Sequence, residues 1–227
     1  MEQVQEKQLV GEYAAKYVED GMIVGLGTGS TAYYTIHKIA QRVKEEGMKL
    51  TFVSTSTRTT KLAQTLGLTI HNINDVPEVD LTIDGCDEFD PQLKGIKGGG
   101  GALLFEKIIA TSSKQNIWVA DRSKKVEVLG AFPLPVEVLT FGSSHTIRKF
   151  EKEGLNPSIR KKADGSVFIT DSQNLVVDLH LSQIEDPEGL SIWLNSLPGV
   201  VENGLFLGIA DRVIYPKADG SIEEVNA

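Results

Sequence analysis

A cluster of carboxylates follows a short apolar segment in the first half of the chain. The segment Leu81–Ile83 precedes Asp84 and Asp87, with Glu88 and Asp90 close behind. An apolar run that stops at acids is typical of a buried strand, and ligands bind at the carboxyl ends of strands in open α/β sheets. Acids placed there bind Mg²⁺ or move protons, because crowded carboxylates raise one another's pKa. A solvated loop is the third interpretation.

A lysine and four consecutive glycines come shortly after these acids. Lys97 is followed directly by Gly98–Gly101. Glycine costs roughly 0.5–1 kcal/mol relative to alanine in regular structure, so this run indicates close approach of a ligand to the backbone. A helical pattern starts next, which directs free N–H groups at the same place. Lys97 supplies the positive charge that a metal ion would otherwise provide, which favours proton transfer over metal binding.

Three further residues near these motifs are candidates for the same site. Glu106, in the first turns of the helix after the glycines, fits a residue that complements the helix dipole. Beside Lys97 and the aspartates it becomes a candidate general base. Lys124 follows the apolar segment 117–120 and is either a solvated cap or part of the site. Cys86 is interpreted as a small buried residue near the site.

A second glycine-rich turn lies near the start of the sequence. The turn at 27–31 follows the apolar segment 22–26 and opens a helix, which predicts an anion site with Ser30 and Thr31 as donors. One phosphate on a small metabolite fits this short turn, and a nucleotide site or a structural turn are the alternatives. The glycine spacing differs from the usual dinucleotide motif. The segment 54–58 would still accommodate an NADP 2′-phosphate, so a reductase stays open.

Composition limits the class of protein. The formal charge of −8 argues against nucleic acid as the main partner, because phosphate-backbone binding needs a concentrated basic surface. No apolar run approaches the length of a membrane span, and the start has no signal-peptide pattern. One cysteine fits a reducing cytosol, so we expect a cytoplasmic protein. Four histidines without metal-ligand spacing argue against a histidine-bound transition metal.

Alternating strand and helix patterns predict the architecture of the larger domain. Repeated strand–helix units indicate an α/β, doubly wound (Rossmann-like), mostly parallel sheet over residues 1–131, which residues 206–227 complete. The strand at 212–215 is expected to join this sheet. The other predicted elements are helix 4–18, strand 22–26, a helix ending near 46, strand 50–53, helix 57–66, and strands near 68–70, 81–83 and 117–120.

The pattern changes near Gly130, and a β-α-β-β-α-β order follows. This order predicts a smaller ferredoxin-like α+β domain over residues 132–205. We expect its first strand to be half-exposed and the basic run 160–162 to be a solvated turn. The predicted elements are strand 136–141, helix 144–153, strands 158–161 and 175–181, helix 187–197 and strand 201–207.

Several long motifs, in this order, resemble ribose-5-phosphate isomerases of the A type. The similarity covers nearly the whole chain. Cys86 departs from the family motif, which usually has alanine, and a fourth glycine stands where alanine is common. The segments are GLGTGST at 25–31, IDGCDE at 83–88, IKGGGGAL at 96–103, FEKIIA at 105–110, ADRSKK at 120–125, FPLPVEV at 132–138 and PGVVENGLF at 198–206.

The resemblance implies interconversion of ribose 5-phosphate and ribulose 5-phosphate without a metal or organic cofactor. It implies Glu106 as the proton acceptor. Enediol chemistry also needs groups that neutralise a developing oxyanion, and Lys97 with Asp84 and Asp87 suits this second catalytic task. Which aspartate opens the sugar ring, and whether Lys7 reaches the site, stay open. The implied substrate contacts are Thr28, Gly29, Ser30, Thr31, Asp84, Gly85, Cys86, Asp87, Lys97, Gly98, Gly99, Gly100 and Lys124.

The resemblance also implies a homodimer or homotetramer, formed through the smaller domain.

Two other functions are alternatives to catalysis. A sugar-phosphate-sensing domain of a transcription regulator has the same general fold, but it would bring a helix-turn-helix. The N-terminal helix here is too short and acidic for one. The other alternative is the NADP-dependent reductase. Aldose–ketose exchange through an enediol needs a base and groups that neutralise an oxyanion, and the predicted set supplies both.

Overall fold

The computed structural model describes residues 1–227, which divide into two compact units. The predicted domain boundaries stay a prediction. None of the helices combines the length and the apolar character that crossing a bilayer requires. The α/β unit comprises Met1–Cys86, Phe105–Lys125 and Gly208–Ala227. The α+β unit comprises Asp87–Leu104 and Val126–Leu207.

Six α-helices and thirteen strands form the two units. The helices are α1 (Gln3–Ala14), α2 (Ala32–Glu46), α3 (Thr57–Thr65), α4 (Leu103–Thr111), α5 (Ser143–Lys152) and α6 (Pro187–Asn195). The strands are β1 (Ile23–Leu26), β2 (Thr51–Ser54), β3 (Val79–Gly85), β4 (Glu88–Phe89), β5 (Gly95–Ile96), β6 (Ser113–Val119), β7 (Leu134–Val138), β8 (Pro157–Ile159), β9 (Leu175–Leu179), β10 (Val200–Asn203), β11 (Leu205–Phe206), β12 (Arg212–Pro216) and β13 (Ile222–Asn226).

The α/β unit contains one six-stranded sheet, in the order β13-β12-β6-β3-β1-β2. The pairs that join β2, β1, β3, β6 and β12 are all parallel, and only β13 is antiparallel. The mostly parallel, doubly wound sheet is therefore confirmed, and so is the return of 212–215. The predicted strand at 68–70 is wrong, because only a single bridge joins Phe52 to Ile70. The chain reverses its direction of winding at β1, so the carboxyl ends of β1 and β3 form the switch point where such sheets bind ligands.

Alternate residues of the strands pack on the two faces of this sheet. On one face Val24 and Leu26 of β1 join a core that includes Val10 of α1 and Ile36 of α2. On the other face β1 presents Gly25, where an added Cβ would lie 2.9 Å from a side-chain carbon of Ile109 in α4. The missing side chain therefore leaves room for the hydroxyl of Thr82 in β3, whose oxygen would lie 2.0 Å from that Cβ, as well as for α4.

The α+β unit contains an antiparallel four-stranded sheet, in the order β10-β7-β9-β8. Together with α5 and α6 this is the predicted β-α-β-β-α-β arrangement, which is confirmed. A separate three-stranded sheet has the order β11-β5-β4. One expectation is wrong: β7 is buried along its whole length. Helix residues such as Phe150 and Leu194 cover Leu134 and Val136, and Glu137 accepts hydrogen bonds from Thr170 and Asn174. That burial raises the pKa of Glu137.

The last strand is attached to α1 through one carboxylate. Glu224 of β13 accepts hydrogen bonds from the hydroxyls of Tyr13 (2.6 Å) and Tyr17, from Lys16 (3.2 Å) and from Arg212 (2.8 Å). Burial alone would raise the pKa of Glu224, but the hydrogen bonds from Tyr13, Tyr17 and Lys16 outweigh it and lower the pKa to about 2. The charged form of Glu224 therefore stabilises the folded α/β unit.

Glu224→Gln should lower the free energy of unfolding by about 1–3 kcal/mol at pH 7, since one pKa unit corresponds to about 1.4 kcal/mol. A depressed pKa in the folded state stabilises it above the unfolded value of 4.5, and that contribution disappears as the pH falls towards about 2. Urea denaturation of wild type and variant at several pH values measures this. The difference between the two proteins should shrink steadily below pH 4.5.

Glu223→Gln is the matched control, because Glu223 lies in the same strand. It forms an ion pair with Lys217 at 3.5 Å, and both side chains are more than a third exposed. Exposed pairs contribute about 0–1 kcal/mol, so this variant should unfold nearly like wild type. Equal losses in the two variants would show that Glu224 has no special role.

Candidate active site

The carboxyl ends of β1 and β3 meet at a contact between a turn and a carboxylate. Asp84, at the end of β3, is 3 % exposed. Its Oδ1 accepts hydrogen bonds from the backbone N–H of Thr28 (2.8 Å) and of Gly85 (2.7 Å). A Cβ on Gly27 would lie 2.3 Å from Oδ1 of Asp84 and 2.5 Å from its Cα, so only glycine fits there. The carboxylate and the glycine-rich turn are thus positioned by each other.

A cluster of buried hydroxyl groups forms hydrogen bonds with the turn. The hydroxyl of Thr28 lies 2.7 Å from that of Thr55, 2.8 Å from that of Ser56 and 3.0 Å from that of Thr59. The Thr59 hydroxyl also donates to the carbonyl of Gly27 at 2.9 Å. The Ser/Thr run after β2 therefore forms the base of the turn, a role that the sequence analysis missed. The alternation of Ser and Thr directly after a strand was the available signal.

The outer part of the turn is open to a ligand. Gly29 and Ser30 are exposed, Thr31 is mostly buried, and Gly29 has a positive φ of 116° that favours glycine. Helix α2 starts at Ala32, so its first N–H groups lie beside Ser30. A cavity of about 490 Å³ adjoins the turn, lined by residues that include Gly29, Ser30, Tyr33 and Arg58. This arrangement suits a phosphate, whose charge the helix N-terminus stabilises.

Helix α4 carries Glu106 in its first turn. The end of α4 is fixed by hydrogen bonds from Ser113 to the carbonyl of Ile109 (2.6 Å) and from Asn116 to that of Ala110 (2.9 Å). Since a crossover helix runs antiparallel to the strands it connects, the first turn of α4 lies at the carboxyl edge of the sheet, like Asp84. The Glu106 side chain is 4 % exposed. A carboxyl group at this depth, on the sheet edge where ligands bind, is a candidate functional acid.

Lys124 lies at the same edge, in a short 3₁₀ turn just after β6. Asp121, which is 1 % exposed, begins this turn and accepts a hydrogen bond from the backbone N–H of Ser123. The ammonium of Lys7 lies 3.9 Å from Oδ2 of Asp121. Lys7 therefore contacts the turn that carries Lys124.

In the α+β unit the remaining acids of the cluster have separate roles. Glu88 accepts hydrogen bonds from the backbone N–H of Gly130 (2.7 Å) and of Phe132 (2.5 Å). Asp90 accepts them from the N–H of Gln92 and of Lys94, both at 2.9 Å, and so shapes the turn between β4 and β5. Both are structural. No three His, Cys, Asp or Glu side chains are grouped so as to bind a metal ion.

Asp87 instead contacts the glycine run. Its Oδ2 accepts a hydrogen bond from the N–H of Gly99 at 2.7 Å, and a Cβ on Gly99 would lie 2.5 Å from its Oδ1. Gly98 and Gly101 have positive φ angles of 102° and 77°. Gly99 and Gly100 are exposed. The glycines therefore permit a tight loop that binds one carboxylate and exposes its backbone.

Lys97 precedes this loop and is 2 % exposed. Its backbone N–H donates to the carbonyl of Gly204 at 2.9 Å, and its ammonium lies 5.4 Å from the ring centre of Phe206. Burying an ammonium group costs free energy unless it is paired or hydrogen-bonded, and buried charged groups of this kind cluster at functional sites, which makes Lys97 a candidate site residue.

The structure thus divides the predicted residues between the two units. The α/β unit contains the turn 28–31, Asp84, Gly85, the buried Cys86, Glu106 and Lys124. The α+β unit contains Asp87, Lys97 and Gly98–Gly100. The expectation for the basic run 160–162 is wrong at Arg160, which forms an ion pair with Asp178.

These features define the class of protein. The chain is a doubly wound α/β protein, with a ferredoxin-like α+β unit and a glycine turn that binds a carboxylate at the switch point. Residues 51–220 match the family described as ribose 5-phosphate isomerase A (phosphoriboisomerase A). The chain belongs to this family.

Individual relatives agree with the family match. The chain is 55% identical to ribose-5-phosphate isomerase A of Enterococcus faecalis over 94% of its own length and 95% of that protein's. A solved D-ribose-5-phosphate isomerase in complex with phospho-erythronic acid superposes with a TM-score of 0.96, at 33% identity and full coverage of both chains. The ribose 5-phosphate isomerase from Plasmodium falciparum gives 0.95, at 35% identity over 99% of both chains.

Gly27→Ala should destabilise the chain by about 1–3 kcal/mol, because the added methyl group overlaps Asp84 and cannot be accommodated without moving the backbone. Gly85→Ala is the control. There the new Cβ would lie 3.7 Å and 3.9 Å from its nearest neighbours, which is ordinary contact distance. Urea denaturation should give the wild-type midpoint for Gly85→Ala and a lower midpoint for Gly27→Ala. If Gly27→Ala is equally stable, the contact between the turn and Asp84 is looser than described.

Proposed function

We propose that the chain interconverts D-ribose 5-phosphate and D-ribulose 5-phosphate through an enediol, with Glu106 as general base. The observation that carries the proposal is a carboxylate 4 % exposed on the first turn of α4, at the sheet edge where Asp84 meets the glycine turn. The reaction moves one proton from carbon 2 to carbon 1 and another from the oxygen on carbon 2 to the oxygen on carbon 1, and a single base that reaches both carbons performs the first transfer. This step belongs to the non-oxidative pentose phosphate pathway.

The phosphate of the substrate is assigned to the turn 28–31. Its exposed Ser30 and the N-terminus of α2 are donors that need no charged side chain. Because Thr28 uses its hydroxyl within the buried cluster and its backbone N–H on Asp84, we assign it a supporting role in this turn. Binding at this remote end fixes the sugar so that its reacting carbons face the base.

The reacting end of the sugar is assigned to the acids, the buried lysine and the glycine loop. Lys97 neutralises the negative charge that develops on oxygen as the enediol forms, together with the N–H groups of Gly98 and Gly100, while the N–H of Gly99 binds Asp87. Asp84 or Asp87 assists opening of the sugar ring: it takes the proton of the anomeric hydroxyl as the bond between carbon 1 and the ring oxygen breaks, and the proton is delivered to the former ring oxygen. Gly85, Cys86 and Lys124 complete the contacts.

The ligand of one relative supports this assignment. Phospho-erythronic acid, present in that isomerase structure, carries a phosphate and a carboxylate. A carboxylate is planar and negatively charged, and in these two properties it resembles the enediolate more than the sugar does. Analogues of the transition state bind more tightly than substrates. We infer that this chain binds the same molecule in the same way.

Family membership favours catalysis over the two alternatives, sugar-phosphate sensing and NADP-dependent reduction. We also propose a cytoplasmic homodimer or homotetramer formed through the α+β unit. Large apolar side chains of this unit are exposed, including Phe141 at 94 % and Ile192 at 72 %. Exposed apolar groups of this size favour contact with another protein surface.

Glu106→Gln tests the base. The amide keeps the shape of the side chain but cannot accept the proton, so kcat should fall at least about a hundredfold. Exchange of the carbon-2 proton with solvent deuterium should be lost as well, while phospho-erythronic acid still binds. Steady-state kinetics, deuterium wash-in by NMR and a melting curve on one preparation measure all three.

Glu188→Gln is its matched control, since Glu188 lies in the first turn of α6 and is exposed. Loss of a dipole-complementing charge costs only about 0.3–1 kcal/mol of stability and leaves kcat unchanged. If Glu106→Gln behaves like this control, Glu106 is not the base and the role moves to Asp84 or Asp87.

Exhaustive treatment with EDTA should leave kcat for ribose 5-phosphate unchanged, because Lys97 provides the positive charge near the reacting oxygens. The assay compares chelated enzyme with chelated enzyme to which Mg²⁺ or Mn²⁺ has been returned. Activity that disappears with EDTA and returns with either ion would assign the acids to a metal site.

A further inference from the structure

The glycine loop 97–101 is bound from outside by one arginine. Nη1 of Arg160 donates hydrogen bonds to the carbonyl of Gly98 at 2.6 Å and to that of Gly99 at 3.1 Å. The other side of the same guanidinium binds both carboxylate oxygens of Asp178, with Nε 2.9 Å from Oδ2. The side chains of Arg160 and Asp178 are only 14% and 15% exposed. This is a two-sided, planar contact, which lysine cannot reproduce.

The arginine is itself fixed by the sheet. It follows β8, and its backbone N–H donates to the carbonyl of Val176 in β9 at 2.9 Å. Its own carbonyl accepts from the N–H of Phe168 at 2.9 Å, and the Phe168 ring leaves no space for a Cβ at Gly101. The hydrogen bonds of Arg160 therefore connect the glycine loop, whose backbone has wide conformational freedom, to an antiparallel sheet.

The hydrogen bonds of the loop connect Arg160 to Asp87. The carbonyl of Gly98 and the N–H of Gly99 belong to one peptide group. Arg160 binds the carbonyl of Gly98, and the N–H of Gly99 donates to Asp87 at 2.7 Å. A cation bound to the carbonyl polarises the peptide group and strengthens its N–H as a donor. Arg160 also binds the carbonyl of Gly99, which belongs to the same peptide group as the N–H of the exposed Gly100. The orientation of that N–H is therefore fixed in the same way.

We propose that Arg160, oriented by Asp178, is a positioning residue for the isomerase reaction, and this rests on the proposed function. It sets the orientation of two consecutive peptide groups in the loop, and through them the carboxylate of Asp87. It touches neither substrate nor reacting atoms. Since glycine gives the loop wide conformational freedom, these contacts select one conformation from many.

Arg160→Ala should lower kcat about 10- to 100-fold, because small displacements of catalytic groups have effects of this size. KM for ribose 5-phosphate should change less than about threefold, since the phosphate end of the sugar is bound elsewhere and such binding acts on KM. Arg160→Lys should recover little of the loss, because its ammonium cannot contact both carbonyls and Asp178. Asp178→Asn should reduce kcat by a smaller factor.

Lys161→Ala is the matched control, since Lys161 is the next residue, is also basic and is exposed. It should keep wild-type kcat, KM and melting temperature. All assays are run well below the melting temperature of each variant, so that a loss of stability alone leaves kcat unchanged. An Arg160→Ala enzyme with kcat within about twofold of wild type overturns the proposal, because a positioning role predicts at least tenfold.

Amide hydrogen exchange of residues 96–104 separates this proposal from the proposed function. Exchange at Gly98–Gly101 should accelerate in Arg160→Ala and stay at the wild-type rate in Lys161→Ala. If wild type shows no isomerase activity, the proposed function fails, whereas exchange still tests the contact with the loop. Unchanged exchange in Arg160→Ala overturns the proposal whatever the activity.

Discussion

The hydrogen bond from the Thr28 N–H to Asp84 fixes the switch point of the central sheet. It joins the ends of two neighbouring parallel strands, β1 and β3, through a carboxylate that is almost completely buried. Burying a carboxyl group costs free energy unless it is hydrogen-bonded, and the N–H groups of Thr28 and Gly85 both donate to its Oδ1. Gly27 must lack a side chain for this contact to form. The glycine turn, the strand end and the acid are therefore one structural constraint, and the proposed phosphate site is built on it.

Backbone N–H groups sort the acids of the cluster into different tasks. Asp90 shapes a turn, Glu88 binds the segment 130–132, and Asp87 binds the glycine loop. Residues that are neighbours in sequence thus act on different parts of the fold. The dense negative charge that suggests a metal site in the sequence is distributed over separate hydrogen-bonding partners. The proposed chemistry uses the two acids, Asp84 and Asp87, that contact the two glycine-rich loops.

Local patterns were sufficient to predict much of the fold. The parallel sheet and the β-α-β-β-α-β order follow from alternating apolar runs, and Gly98–Gly101 marked a loop because few other structures tolerate four glycines. The errors arise where distant segments decide the outcome. Residues 68–70 are apolar enough for a strand but form a single bridge at the sheet edge. Glu137 alternates like an exposed residue but is covered by Thr170 and Asn174. Arg160 lies in a basic run, and only the folded chain brings it to Asp178 and the glycine carbonyls.

The order of the segments along the chain affects how the protein folds during synthesis. Strand β12 pairs with β6, but the ribosome synthesises the whole of Val126–Leu207 after β6 and before β12. Domains fold as units when they leave the ribosome, so most of the α+β unit can fold while the α/β sheet still ends at β6. Until the last residues emerge, β6 has an unpaired edge, and exposed strand edges promote aggregation. The nascent chain is therefore most prone to aggregation in the interval after β6 has been synthesised and before β12 has emerged.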